Sequence, residues 1–306
     1  MKQSVIFFFV SLFLLTPCYA MPNLWHIQQK NSSIYLFGSI HVGNPSMYPL
    51  SQQIETAFFE SDKLVVEADI SGSGALAAIS WLLLNGVNPL HKTLDDLLTT
   101  KTLALLKKTL KQHKLSYDTV KTLKPWIIAM QLTGLSFMME DSRPELGVDI
   151  HFLLKAHQQH KSILELESIA EQFALFENFD LKTQEQFLFG TLQDLQSDEH
   201  QLNQMISYWK SGDSRGLSKI VLDEFEKNKQ ETNEVEKVLY NSLFLNRNKK
   251  MAQKIDELLH AGGRYFVVVG AAHFLGKESI LHFLEQKGIQ IEQVEEINLN
   301  HNNTGN

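Results

Sequence analysis

The chain has 306 residues with 28 basic and 35 acidic side chains, a net charge of −7, and one cysteine, Cys18. No run of Lys or Arg is long enough to track a phosphate backbone, so nucleic acid is not an expected partner. One cysteine excludes an internal disulfide framework and a thiolate-rich zinc site.

At the N-terminus, Lys2 precedes an apolar run from Val5 to Leu15, and Cys18-Tyr19-Ala20 supplies small residues at the cleavage positions. This is the pattern of a secretory signal, residues 1–20, cut after Ala20 to give a secreted or periplasmic protein. Lipid attachment at Cys18 is the minor alternative, since Pro17 stands where a small residue is expected. An apolar run this short falls below the roughly 20 residues that span a bilayer, so no stable membrane span is expected. Cleavage removes Lys2 and Cys18, leaving 286 residues with a net charge of −8 and no thiol. Catalysis then falls to His, Asp, Glu, Arg or hydroxyl groups, and the remaining length can bury a large core.

In chain order, Leu24 to Gln29 and Ile34 to Phe37 read as two strands of a hairpin joined through Lys30-Asn31-Ser32-Ser33. Leu50 to Ser61 has Ile54, Ala57 and Phe58 at helical spacing and leads into a strand, Lys63 to Val66, that meets a carboxylate at Glu67. The order strand, loop, helix, strand places strands parallel in one sheet. Ser71-Gly72-Ser73-Gly74 is a flexible joint, after which about 71–142 reads as a helical insertion capping the sheet. Met130, Phe137, Met138 and Met139 are expected in its core. Gly147-Val148-Asp149 opens another helix, with Asp149 placed to serve as a cap. Ser162 to Leu166 is a short strand ending at Glu167, and about 168–260 is again mostly helical. A strand from Tyr265 to Val269, a helix from Lys277 to Lys287 and a strand from Ile289 to Val294 form a second βαβ unit, and 298–306 is a polar, disordered tail. The expected fold is α/β: one domain, 21–297, with two βαβ halves forming a central mostly parallel sheet and a large helical insertion between them.

Two stretches repeat a local pattern. Tyr35-Leu36-Phe37-Gly38-Ser39-Ile40-His41 and Val267-Val268-Val269-Gly270-Ala271-Ala272-His273 each run an uncharged strand into a glycine and set a histidine three residues later. Ligands collect beyond the carboxyl ends of parallel strands. With Glu67 at a third strand end, two imidazoles and a carboxylate suit Zn, Mn, Co or Fe(II) and leave positions open for water and substrate. His41, Glu67 and His273 are the expected ligands, unless Glu67 is the general base. Arg247 reads as lying at a helix start, where a cation is disfavoured by roughly a few tenths of a kcal/mol, so a carboxylate or a substrate is expected to hold it. In that role it could stabilise an oxyanion. His-Glu-x-x-His, Gly-x-Ser-x-Gly and nucleotide-binding glycine loops are absent.

These segments, together with Leu64-Val65-Val66-Glu67-Ala68-Asp69, Gly147-Val148-Asp149, Leu164-Glu165-Leu166-Glu167 and Arg247-Asn248, resemble the TraB/GumN family, also called TraB/PrgY/GumN, whose animal relatives are the Tiki metalloproteases. The resemblance implies a divalent-metal-dependent hydrolase acting on a peptide or small-molecule substrate, with His41, Glu67, Arg247 and His273 in the site. It also implies a more distant likeness to erythromycin esterases and ChaN-like haem-binding proteins. A non-catalytic binder of peptide, pheromone or haem, and a metal-free esterase-like hydrolase with histidine as general base, therefore stand as alternatives.

Overall fold

The hairpin forms where the alternation places it. Strands β1 (Leu24–Gln29) and β2 (Ser32–Ser39) pair antiparallel, Leu24 opposite Phe37 and Gln29 opposite Ser32. Residues 22–139, 142–196, 201–222 and 234–294 are described, from a computed structural model. The expected signal peptide and polar tail lie outside the described residues.

Helix α1 (Gln52–Glu60), capped by Ser51, buries Ile54, Ala57 and Phe58 and returns the chain to β3 (Lys63–Val66). Four helices follow: α2 (Gly72–Asn85), α3 (Leu94–Leu97), α4 (Thr100–Gln112) and α5 (Pro125–Met139). Then come α6 (Val148–Gln158), β4 (Ser162–Glu165), α7 (Ile169–Glu177), α8 (Leu181–Asp194), α9 (Gln201–Lys210) and α10 (Ser214–Val221). The last part holds α11 (Glu234–Tyr240), α12 (Asn246–Ala261), β5 (Gly263–Gly270), α13 (Ile280–Gln286) and β6 (Glu292–Gln293).

The six strands lie in the order β4-β3-β5-β2-β1-β6, with β4, β3, β5 and β2 parallel. The α/β class with its mostly parallel sheet is as the sequence indicates, but the two βαβ units interleave: β5 inserts between β2 and β3. Uncharged Phe266, Val267, Val268 and Val269 suit that central place, where both faces are covered. The strand expected over Ile289 to Val294 is reduced to Glu292 and Gln293, paired with β1 at the far edge.

Each face of the sheet carries a core. On one, Phe37, Phe58, Phe152 and Phe266 pack under α1, α6 and α9. On the other, Ile34, Leu36, Val267 and Val269 meet Met251, Ile255 and Leu259 of α12 and Leu284 of α13. In the helical insertion α3, α4 and α5 join α8 in a third core around Leu106, Leu110, Ile128 and Leu188 that contains no strand residue. Met130, expected inside, is 37 % exposed, and the side chains of Phe137, Met138 and Met139 lie outside the description. On α2 the outward leucines stay in solvent, Leu83 at 74 % and Leu84 at 82 %, while Trp81 on its inner side packs against Phe173.

Candidate active site

The parallel register of β2 and β5 sets Gly38 beside Val269 and Ser39 beside Gly270, so both glycine-histidine segments leave the sheet at the same end. Gly38 is required by close approach, since a Cβ there would stand 3.0 Å from the Ala271 Cα. Gly270 is required by the site itself. A Cβ on it would meet Glu67 Oε1 at 3.2 Å, His41 Nε2 at 3.5 Å and His273 Cδ2 at 3.6 Å. Three of the residues singled out from the sequence therefore converge over one missing side chain, and the fourth, Arg247, touches Glu67.

Each imidazole is held through Nδ1. His41 Nδ1 lies 2.9 Å from Asp149 Oδ2, and Ser39 Oγ donates to Asp149 Oδ1 at 2.6 Å. Asp149 is not the helix cap expected of it. Gly147 occupies the N-cap of α6, Val148 N–H bonds to Ile40 carbonyl at 3.0 Å, and the Asp149 carboxylate turns to β2. His273 Nδ1 meets Asn248 Oδ1 at 2.6 Å, and Asn248 Nδ2 donates to the Glu278 carbonyl at 2.6 Å. His41 keeps 63 % of its side chain in contact with solvent, whereas His273 keeps 5 %.

Glu67 and Glu167 stand side by side because the β3–β4 ladder continues past both strands: Leu166 N–H bonds to Val66 carbonyl, and Glu167 N–H bonds to Glu67 carbonyl at 2.7 Å. Two adjacent carboxylates need a cation, and Arg247 supplies it. Its Nη2 lies 2.6 Å from Glu67 Oε2 and 2.7 Å from Glu167 Oε2, and its Nε donates to Glu167 at 3.0 Å. Gln172 Nε2 sits 3.3 Å from both carboxylates, and the Gly270 amide donates to Glu67 Oε1 at 2.6 Å.

Arg247 does not sit at a free helix start. The helix runs through from α11 to α12 by way of a π-helical turn, Asn241–Leu245, directly ahead of it. Such turns collect at functional sites. This one sets the Phe244 ring 5.9 Å from the His273 ring and leaves the Leu243 carbonyl to accept from Arg247 Nη1. As expected, carboxylates hold the arginine.

The electrostatics divide the two histidines. The Asp149 carboxylate raises His41 to about 9 against the opposing effect of burial; solvent around the ring screens part of that attraction. Burial lowers His273 to about 4, so its ring is neutral at neutral pH. Burial also works against ionisation of Glu67, but His273, Arg247, His41 and the Gly270 amide together hold its carboxyl at about 2.

The donor types suit a divalent cation: two imidazoles with Nδ1 anchored on oxygen, as metal-binding histidines usually are, and one carboxylate. Among the described residues no three His, Cys, Asp or Glu side chains already stand together as a metal-binding group, so His41, Glu67 and His273 would have to draw closer to hold an ion.

The profile of the TraB/PrgY/gumN family matches residues 23–293. The chain belongs to this family. Among its relatives, "Uncharacterized protein YbaP" of Escherichia coli (strain K12) is 28 % identical over 266 residues, covering 87 % of this chain and 93 % of that protein. "Metalloprotease TIKI1" of Danio rerio is 21 % identical over 317 residues, covering 88 % of this chain and 62 % of its own length. "Metalloprotease TIKI homolog" of Nematostella vectensis is 27 % identical over 172 residues, 48 % of this chain and 35 % of that one. No solved structure matches.

Asp149 and Glu167 had weak sequence signals of their own, and Asn248 had only its place beside Arg247. Their roles come from partners 108, 80 and 25 residues away, which periodicity does not register.

Proposed function

We propose that this chain is a divalent-metal-dependent hydrolase of the metallopeptidase kind, with His41, His273 and Glu67 as the residues that hold the ion. The observation that carries the reading is the convergence of Glu67 Oε1, His41 Nε2 and the His273 ring over Gly270, at the carboxyl end of a parallel sheet. The relatives named metalloproteases support it. When bound, an ion there supplies Lewis acidity toward a carbonyl.

The remaining work falls to the chain. To hold an ion, His41 would release its Nε2 proton to solvent and keep its Nδ1 hydrogen on Asp149. Glu67 is ionised at neutral pH and serves either as third ligand or as the base that takes a proton from water. Arg247 acts by fixing Glu67 and Glu167, because Nε, both Nη2 hydrogens and one Nη1 hydrogen are already engaged. The solvent-facing side of His41 leaves a way in for substrate. The signal-like pattern of the first 20 residues supports, as part of the same proposal, an activity outside the cytoplasm.

Elemental analysis of protein purified without chelator or nickel resin tests the reading, paired with cleavage of a peptide library in added Mn²⁺, Co²⁺ or Zn²⁺. Stoichiometric metal and cleavage in wild type, both lost in His41→Ala and His273→Ala, are expected. Equal cleavage by all three proteins overturns the metal site, and haem or peptide bound without any cleavage replaces the hydrolase with a binding protein.

A further inference from the structure

Asn248 is 2 % exposed and stands between two fixed groups, His273 Nδ1 and the Glu278 carbonyl, each at 2.6 Å. The carbonyl can only accept, so the amide nitrogen must face it, because the reverse orientation would press two oxygens together at that distance. The amide oxygen then faces His273 and can also only accept. His273 must therefore carry its hydrogen on Nδ1, and the Nε2 lone pair points the other way.

On that side Nε2 lies 3.6 Å from Glu67 Oε1, which already accepts the Gly270 amide. Neither atom can donate to the other. His41 Nε2 faces the same gap, 3.5 Å from the point a Gly270 side chain would occupy. Two atoms of the gap, His273 Nε2 and Glu67 Oε1, are thus electron-rich and suit an electrophile, and His41 joins them once its Nε2 hydrogen is released.

We infer that Asn248 is a positioning residue which, oriented by the Glu278 carbonyl, fixes the His273 tautomer and presents the Nε2 lone pair to the gap shared with Glu67 and His41. The role deepens the hydrolase reading and rests on it for what fills the gap. The tautomer itself does not depend on it. The arrangement differs from that at His41, where a carboxylate does the holding. An amide orients the ring without adding a charge to a site that already contains Glu67, Glu167 and Asp149.

Long-range ¹H–¹⁵N NMR of the imidazoles in the metal-free full chain near neutral pH reads the tautomer directly. His273 is expected to be protonated at Nδ1 in wild type and to move toward Nε2 protonation in Asn248→Leu. Zinc alone, titrated into the same proteins, should bind about 10–100-fold more weakly to Asn248→Leu than to wild type. Wild-type His273 protonated at Nε2 overturns the inference without need of any variant. So does an Asn248→Leu protein that loses stability while its tautomer stays put. A wild-type protein with the Nδ1 tautomer that binds none of Zn²⁺, Mn²⁺ and Co²⁺ supports the positioning role and removes the metal-dependent hydrolase.

Discussion

The segments ending in His41 and His273 leave adjacent parallel strands in nearly the same local sequence, yet their imidazoles meet opposite surroundings. His41 stands in solvent against the Asp149 carboxylate and holds a proton to about 9. His273 is enclosed, anchored on the neutral Asn248 amide and stripped of its proton down to about 4. A strand, a glycine and a histidine fix where a ring goes, while its protonation is decided by whatever a distant element places against Nδ1. Here that element is α6 for one ring and α12 for the other.

The largest effect should fall on what both ends share. Arg247→Ala leaves Glu67 and Glu167 buried side by side without their cation and should cost about 3–5 kcal/mol in urea unfolding. Arg247→Lys should recover little of this, since one ammonium cannot reproduce the forked contacts to two carboxylates. Full recovery by lysine would mean that charge alone matters there.

Next comes the contrast itself. His273→Ala strands the buried Asn248 oxygen and should cost about 1–3 kcal/mol, against under about 1 kcal/mol for His41→Ala at its solvent-exposed position. Equal losses would erase the distinction between the two ends.

Titration sharpens it further. In metal-free protein followed by NMR, His41 should titrate near 9 and His273 near 4, and Asp149→Asn should bring His41 back toward 6.5. The consequences for stability have opposite signs. The His41–Asp149 contribution is fully present below 6.5 and fades as pH rises through about 9. Burial of neutral His273 costs nothing above 6.5 and weakens the fold as pH falls from there toward 4, because the unfolded chain binds the proton more readily. Unfolding curves of wild type and Asp149→Asn that stay parallel from pH 6 to 10 would contradict the first of these.

The smallest expected change is Ser39→Ala. It removes one hydrogen bond to Asp149 and should cost roughly 0.5–1.5 kcal/mol, with the His41 midpoint moving less than in Asp149→Asn.

Much of the site was legible because its parts sit at strand ends. The uncharged ends of β2, β3 and β5 each run into a turn that carries His41, Glu67 or His273, and the family resemblance joined the same residues to Arg247. The signals that failed are those set by tertiary contact. Asp149 looks like a cap because acidic residues favour first turns, but Gly147 takes the cap and Ser39 and His41 claim the carboxylate. Arg247 looks like a helix start because Asn246 precedes it, whereas the π-helical turn carries the helix straight through. The insertion of β5 between β2 and β3 is likewise invisible locally, since uncharged strands pair equally well with either neighbour.

That insertion bears on how the molecule is made. The strand that closes the middle of the sheet arrives some 230 residues after the one it pairs with, Ser32 against Gly263, so a chain emerging from the ribosome cannot complete its sheet until nearly all of it has been synthesised. Until then β2 has only β1 beside it and β3 only β4. A nascent or clipped fragment lacking β5 carries His41 and Glu67 with nothing to bring them together, so the site is assembled only at the last stage of synthesis.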